Sequence, residues 1–107
     1  MSRLAITAAV LLALPGLARA ADEPSYQRHV SATFSKLGCN GGTCHGAVNG
    51  QNGFRLSLFG ADPVGDHDRL LREFGGRRVN LTDAPASLLL VKATGSAPHG
   101  GGKRLDP

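Results

Sequence analysis

The chain has 107 residues, with 12 Lys and Arg against 8 Asp and Glu, 15 Gly, four Phe, one Tyr and no Trp. A single domain of this size with so few aromatic residues is hard pressed to build a sufficient core from its own side chains, so a covalent staple or a bound apolar group is expected. Its basic residues are scattered, with only Arg77-Arg78 and Lys103-Arg104 adjacent and no aromatic residues between them, which argues against nucleic-acid binding through a stacking platform.

The amino terminus reads as an export signal. Met1-Ser2-Arg3 precedes an uncharged apolar run from Leu4 to Leu17, and Ala18-Arg19-Ala20 offers an A-x-A cleavage site. The run is too short for a spanning helix, and Pro15 and Gly16 interrupt it. A signal peptide over 1–20, a mature domain over 21–107 with no membrane span, and a periplasmic or otherwise exported location are therefore expected. Removing Arg3 and Arg19 leaves ten basic against eight acidic side chains, so the basic pI carries little information about partners.

From Ser25, the residues Tyr26, Val30, Phe34 and Leu37 recur at helical spacing, and Gly38 stands where a C-terminal cap belongs. This predicts an amphipathic helix that runs directly into Cys39. Residues 46–53 form a polar, glycine-rich loop. Phe54-Arg55-Leu56-Ser57-Leu58-Phe59 alternates like a short strand or extended segment. A second, short helix is expected over Asp66 to Phe74, closed by Gly75-Gly76. A third is expected from Asp83 through Ala93, with Pro85 in its first turn and Gly95 as its stop. Ser96 to Pro107 reads as loop.

The segment that carries chemistry is Cys39-Asn40-Gly41-Gly42-Thr43-Cys44-His45, or C-x4-C-H, a stretched form of the C-x-x-C-H haem-attachment pattern. Two thiols add across the vinyl groups of haem to form thioethers, and the adjacent imidazole reaches the iron as proximal ligand. Haem c held by Cys39 and Cys44 with His45 on the iron is the leading expectation. Gly41 and Gly42 are read as letting the longer spacer loop out, and Asn40 as tolerating a left-handed backbone. Two other readings of the same residues stay open: a Cys39–Cys44 disulfide closing a very small loop, and a zinc site lacking further cysteines.

Met1 is the only methionine, so no methionine of the mature chain can be the second axial ligand. His99, in the glycine-rich run Pro98-His99-Gly100-Gly101-Gly102, is the favoured distal ligand, with His67 and His29 as lesser candidates and an open position as a further option. Two histidines imply a low-spin centre of lower potential than a methionine–histidine pair. An open position would favour small ligands or peroxide, but no acid–base partner for such chemistry is legible, and the chain is not expected to be an enzyme. The run His99 to Lys103 fails as a phosphate loop, because Arg104 stands where Ser or Thr is needed. Arg77-Arg78 reads as a solvated turn, with a clamp on a haem propionate as the lesser reading. Asn80-Leu81-Thr82 matches a glycosylation acceptor by chance.

Taken in order, the segments G-C-N-G-G-T-C-H-G-A, N-G-F-R-L-S-L-F-G, R-E-F-G-G-R-R-V-N, S-L-L-L-V-K-A-T and P-H-G-G-G-K-R-L resemble the cytochrome-c-like N-terminal region of large exported planctomycete-type proteins that carry DUF1549 and DUF1553 domains. The resemblance covers roughly Val30 to Leu105. It implies an all-α, class I-like cytochrome c fold with glycine-rich loops, with Cys39, Cys44 and His45 in the haem-binding roles and His99 near the distal face. Such proteins continue into a further helix after the glycine-rich loop, so this chain is read as a truncated part of a larger polypeptide. The functional expectation is an electron-transfer module with an unidentified redox partner. Its rival is a disulfide-stapled, cofactor-free binding or structural domain of a cell-surface protein.

Overall fold

The computed structural model describes residues 23–107; the signal peptide expected over 1–20 lies outside them. Among the described residues the fold is all-helical, and no helix is long and apolar enough to cross a membrane. The first helical stretch begins with a π-type segment, Tyr26–Ser31, and continues as α1, Ala32–Leu37. Ser25 caps it by accepting from the Arg28 amide, and His29 Nδ1 accepts from the Ser25 amide in return. Gly38 closes it in the left-handed conformation (φ 78°) that glycine adopts without steric cost. The Cys39 amide then donates to the Phe34 carbonyl at 2.8 Å, so the helix end fixes where the first thiol leaves the backbone.

The Phe54–Phe59 stretch forms no strand; only an isolated bridge joins Gln51 to Phe54. It finds no neighbouring extended segment, and its alternation instead buries Leu56 while leaving Leu58 and Phe59 exposed. A 3₁₀ turn, Leu58–Gly60, ends it, with Phe59 held at φ 52°.

The second helix, α2, spans Pro63–Arg72, starting three residues before its expected position. Asp62 caps it by accepting from Gly65, and Pro63 occupies a first-turn site where a missing N–H costs nothing. Asp66 on α2 is buried and accepts from the Ser57 amide (2.7 Å) and hydroxyl (2.6 Å) and from Arg69 (3.0 Å), which ties the extended segment to the helix.

The expected third helix is split. A 3₁₀ turn, Ala84–Ala86, is separated from α3, Leu88–Ala93, by Ser87 in an extended conformation (ψ 131°). Ser87 is buried and its hydroxyl accepts from the Asn80 amide, so here a tertiary hydrogen bond outweighs helix continuity. Gly95 at φ 78° follows the end of α3.

The buried apolar centre is thin: Phe34 from α1, Leu56 from the extended segment and Leu70 from α2. Tyr26, Val30, Phe54, Val79 and Leu89 pack around it and remain partly exposed. Their exposure has a common cause, since Val30, Phe34, Phe54, Val79 and Leu89 also form walls of one large cavity.

Candidate functional site

That cavity has a volume of about 970 Å³, at the upper end of the range for small-molecule and cofactor sites. Val30, Phe34 and Leu37 form one wall, and Leu88, Leu89 and Leu90 of α3 form another. Cys39, Cys44, His45 and His99 all line it. A second, smaller concavity of about 570 Å³ lies beside Leu71, Gly75 and Leu81 and contains no thiol, imidazole or carboxylate. The chemistry is therefore in the larger one.

The two cysteines are unpaired and half-buried. Burial raises the Cys39 thiol above its ordinary pKa and Cys44 adds to the rise, while Arg104 opposes it. The spacer between the thiols is folded on itself: Cys44 donates to Gly41, His45 to Cys39 and Gly46 to Gly41. Asn40 keeps a negative φ and is 1 % exposed, with Nδ2 donating to Ser35 Oγ at 2.8 Å and its carbonyl accepting from Phe59. The spacer thus turns on a buried asparagine. Gly46 is the glycine the turn cannot replace, because a Cβ there would collide with the Asn40 and Gly41 carbonyls.

His45 is fixed on every side. Its amide donates to Cys39, its carbonyl accepts from Leu56 at 2.7 Å, and its ring lies 4.6 Å from that of Phe54. Nδ1 lies 2.7 Å from the Phe54 carbonyl, and since a carbonyl can only accept, Nδ1 carries the proton and Nε2 the lone pair. Burial pushes the His45 pKa below its ordinary value, with His99 and Arg78 acting in the same direction and the Phe54 carbonyl against it. The ring is therefore held neutral, as a metal ligand must be.

His99 is arranged in the same way. Its Nδ1 lies 2.8 Å from the Gly102 carbonyl, so it too keeps its proton on Nδ1 and its lone pair on Nε2. A backbone carbonyl on the far nitrogen is the usual support of a metal-binding histidine. The His45 and His99 rings are near-parallel, at 10°, with centroids 6.3 Å apart. One metal atom in line between two imidazoles, with bonds of about 2.0–2.1 Å and roughly 1.1–1.2 Å from nitrogen to ring centre, sets the centroids about 6.2–6.6 Å apart, whereas a tetrahedral angle brings them to about 5 Å. The 6.3 Å between the two stacked rings falls in the wider range.

The other histidines do not share this arrangement. His67 is packed on Tyr26 at 4.9 Å and does not line the cavity, and His29 reaches its edge with Nδ1 already accepting from Ser25. Among the described residues no cluster of three or more His, Cys, Asp or Glu side chains could hold a metal, so a tetrahedral zinc site finds no ligand set.

Four basic side chains, Arg77, Arg78, Lys92 and Arg104, line the cavity, and no carboxylate does. Arg78 departs from the solvated turn expected of it. Its guanidinium is 4 % exposed, donates to Arg69 O, Glu73 and Gly53 O, and lies 4.4 Å over the Phe54 ring. The adjacent arginines and Asn40 were visible in the sequence, but not which arginine is buried, nor that Asn40 is a buried anchor.

The cavity lining thus combines two thiols, two near-parallel imidazoles, apolar side chains and four basic residues, with no carboxylate. Comparison with protein families, curated proteins and solved structures gives no match to this chain.

Proposed function

We propose that the chain is an exported c-type cytochrome module that carries electrons on a haem attached through Cys39 and Cys44. The observation that carries this reading is the pair of near-parallel imidazoles, 6.3 Å apart, on a cavity that both thiols line. Haem would bring most of its metal's ligands itself, so His45 and His99 would be enough to complete the set; a lone metal ion would need further ligands, and no cluster of three is found among the described residues.

When bound, haem supplies a one-electron couple at the iron. The chain's own part is to hold it. Cys39 and Cys44 supply the thiols, His45 and His99 would supply their Nε2 atoms, and the Phe54 and Gly102 carbonyls orient the two rings. Apolar side chains of α1 and α3 would pack against the haem. The basic residues match the carboxylates of the macrocycle. Two imidazoles give a lower potential than a methionine–histidine pair, so the module is a low-potential carrier without bond chemistry of its own. The sequence resemblance to the cytochrome-c-like regions of exported planctomycete-type proteins agrees with this role, as part of a larger polypeptide with a protein redox partner.

The test is a haem-stained denaturing gel and a pyridine haemochrome spectrum on protein made with a cytochrome c maturation system. Covalent haem in the wild type, lost in Cys39→Ser/Cys44→Ser, is the expected result. Colourless wild-type protein that is folded and has its two cysteines oxidised would defeat this proposal in favour of the disulfide-stapled domain.

A further inference from the structure

The two imidazoles are supported very unequally. His45 sits between anchors from distant parts of the chain, with its backbone bonded to Cys39 and Leu56 and its ring to Phe54. His99 is held from within its own turn: Nδ1 bonds to Gly102 O, and the Gly102 amide donates back to His99 O. The turn is tied to the fold on either side. Ala97 donates to Val91, and Arg104 and Leu105 donate to Ala93. Between these ties Lys92 Nζ donates to Pro98 O and the His99 ring faces that of His45, while at the segment's end Arg104 donates to Gly101 O and to Leu37 O. Gly100 and Gly102 are exposed, and a Cβ at either would meet nothing within 4 Å. Few buried contacts and mostly internal hydrogen bonds are the marks of a segment that opens locally at low cost.

From this asymmetry we infer that His99 is a displaceable cap and that the chain binds a small uncharged diatomic ligand, of the carbon monoxide type, on the His99 side of the metal. The inference rests on the proposed haem site. In the exchange the bond from His99 Nε2 to the iron breaks and a bond from the ligand to the same position forms. The ligand is uncharged and Nδ1 keeps its proton, so no proton or electron is gained or lost. The turn from Pro98 to Lys103 opens between its two ties, the Gly102 amide leaving the His99 carbonyl, while His45 and the thioethers hold the other side.

The experiment follows the visible spectrum of the reduced, haem-loaded full chain on mixing with carbon monoxide, for wild type, His99→Ala and Gly100→Ala. A binding-competent state populated at about 0.1–10 % lowers apparent affinity by that fraction, so His99→Ala is expected to bind about 10- to 1,000-fold more tightly than wild type. Wild-type association should level off at high ligand concentration, where departure of His99 limits the rate, and the variant's should rise linearly. Gly100→Ala, whose φ is not left-handed and whose Cβ has open space, stiffens the turn and should slow binding by about two- to fivefold. Hydrogen exchange on the loaded wild type gives a readout without added ligand: the Gly102 amide should exchange far faster than that of Leu56. No carbon monoxide adduct in covalently loaded wild type, identical binding in His99→Ala, or equal protection of the two amides overturns the inference while leaving the haem proposal standing. A preparation colourless by haemochrome overturns both.

Discussion

Arg78 spends its donors in three directions, to a helix carbonyl, to the Glu73 carboxylate and to the Gly53 carbonyl, while its plane covers the Phe54 ring. The carbonyl of that same Phe54 holds the His45 proton, so the guanidinium braces the residue that orients the proximal imidazole. Replacing Arg78 by Leu leaves the Arg69 and Gly53 carbonyls without this donor and should cost about 2–3 kcal/mol in a denaturant unfolding curve of the loaded protein. Arg78→Lys should recover less than half of that, because an ammonium cannot reproduce the planar fork; full recovery would show that charge alone matters. At this scale residue type and spacing singled out Cys39, Cys44, His45 and His99, four residues that line one cavity. The sequence was silent where a role depends on burial. Asn40 looked suited to a left-handed turn and is a buried anchor instead, and Arg78 looked solvated. Nothing in a side chain's identity tells which of two adjacent arginines will meet an aromatic face.

The helical elements show the same division. The periodic spacing from Tyr26 to Leu37 and the glycine after it located the first helical stretch and its end, because capping and amphipathicity are local. The π-type start, the break at Ser87 and the missing strand at Phe54–Phe59 depend on tertiary partners such as Asn80, Asp66 and Leu56. Tyr26, in the π-type segment, offers a test. Its hydroxyl is buried without a hydrogen-bond partner, and its pKa is pushed up to about 12, by burial first and the Asp66 carboxylate second. Between pH 10 and 12 the unfolded chain gives up this proton while the folded chain keeps it. The contribution of Tyr26 to stability is thus whole below pH 10 and is lost as pH rises through that window. Tyr26 is the only tyrosine, so the tyrosinate absorbance of the folded protein should rise with a midpoint well above 10; a midpoint at 10 would contradict its burial. Tyr26→Phe removes an unsatisfied hydroxyl and should be neutral or stabilising by up to about 1 kcal/mol.

At the scale of the whole molecule, the buried apolar cluster of Phe34, Leu56 and Leu70 faces a cavity of about 970 Å³. Much of the apolar surface of α1 and α3 is turned toward that cavity and not toward other side chains. A group seated there completes the packing, and anything that binds only the folded state stabilises it. Thermal unfolding should therefore be sharp and cooperative for the haem-loaded chain and broad, at lower temperature, for Cys39→Ser/Cys44→Ser prepared without haem; equal transitions would mean that the side chains alone suffice. The scarcity of aromatic residues pointed to a bound apolar group or a covalent staple, but the shape of the cavity depended on how the loops close around it. The consequence reaches beyond the folded protein into its making. If the proposed function holds, a polypeptide that stays loosely packed until it is loaded would be open to proteases after export, and the quantity a cell retains would follow the supply of haem more closely than the rate of synthesis.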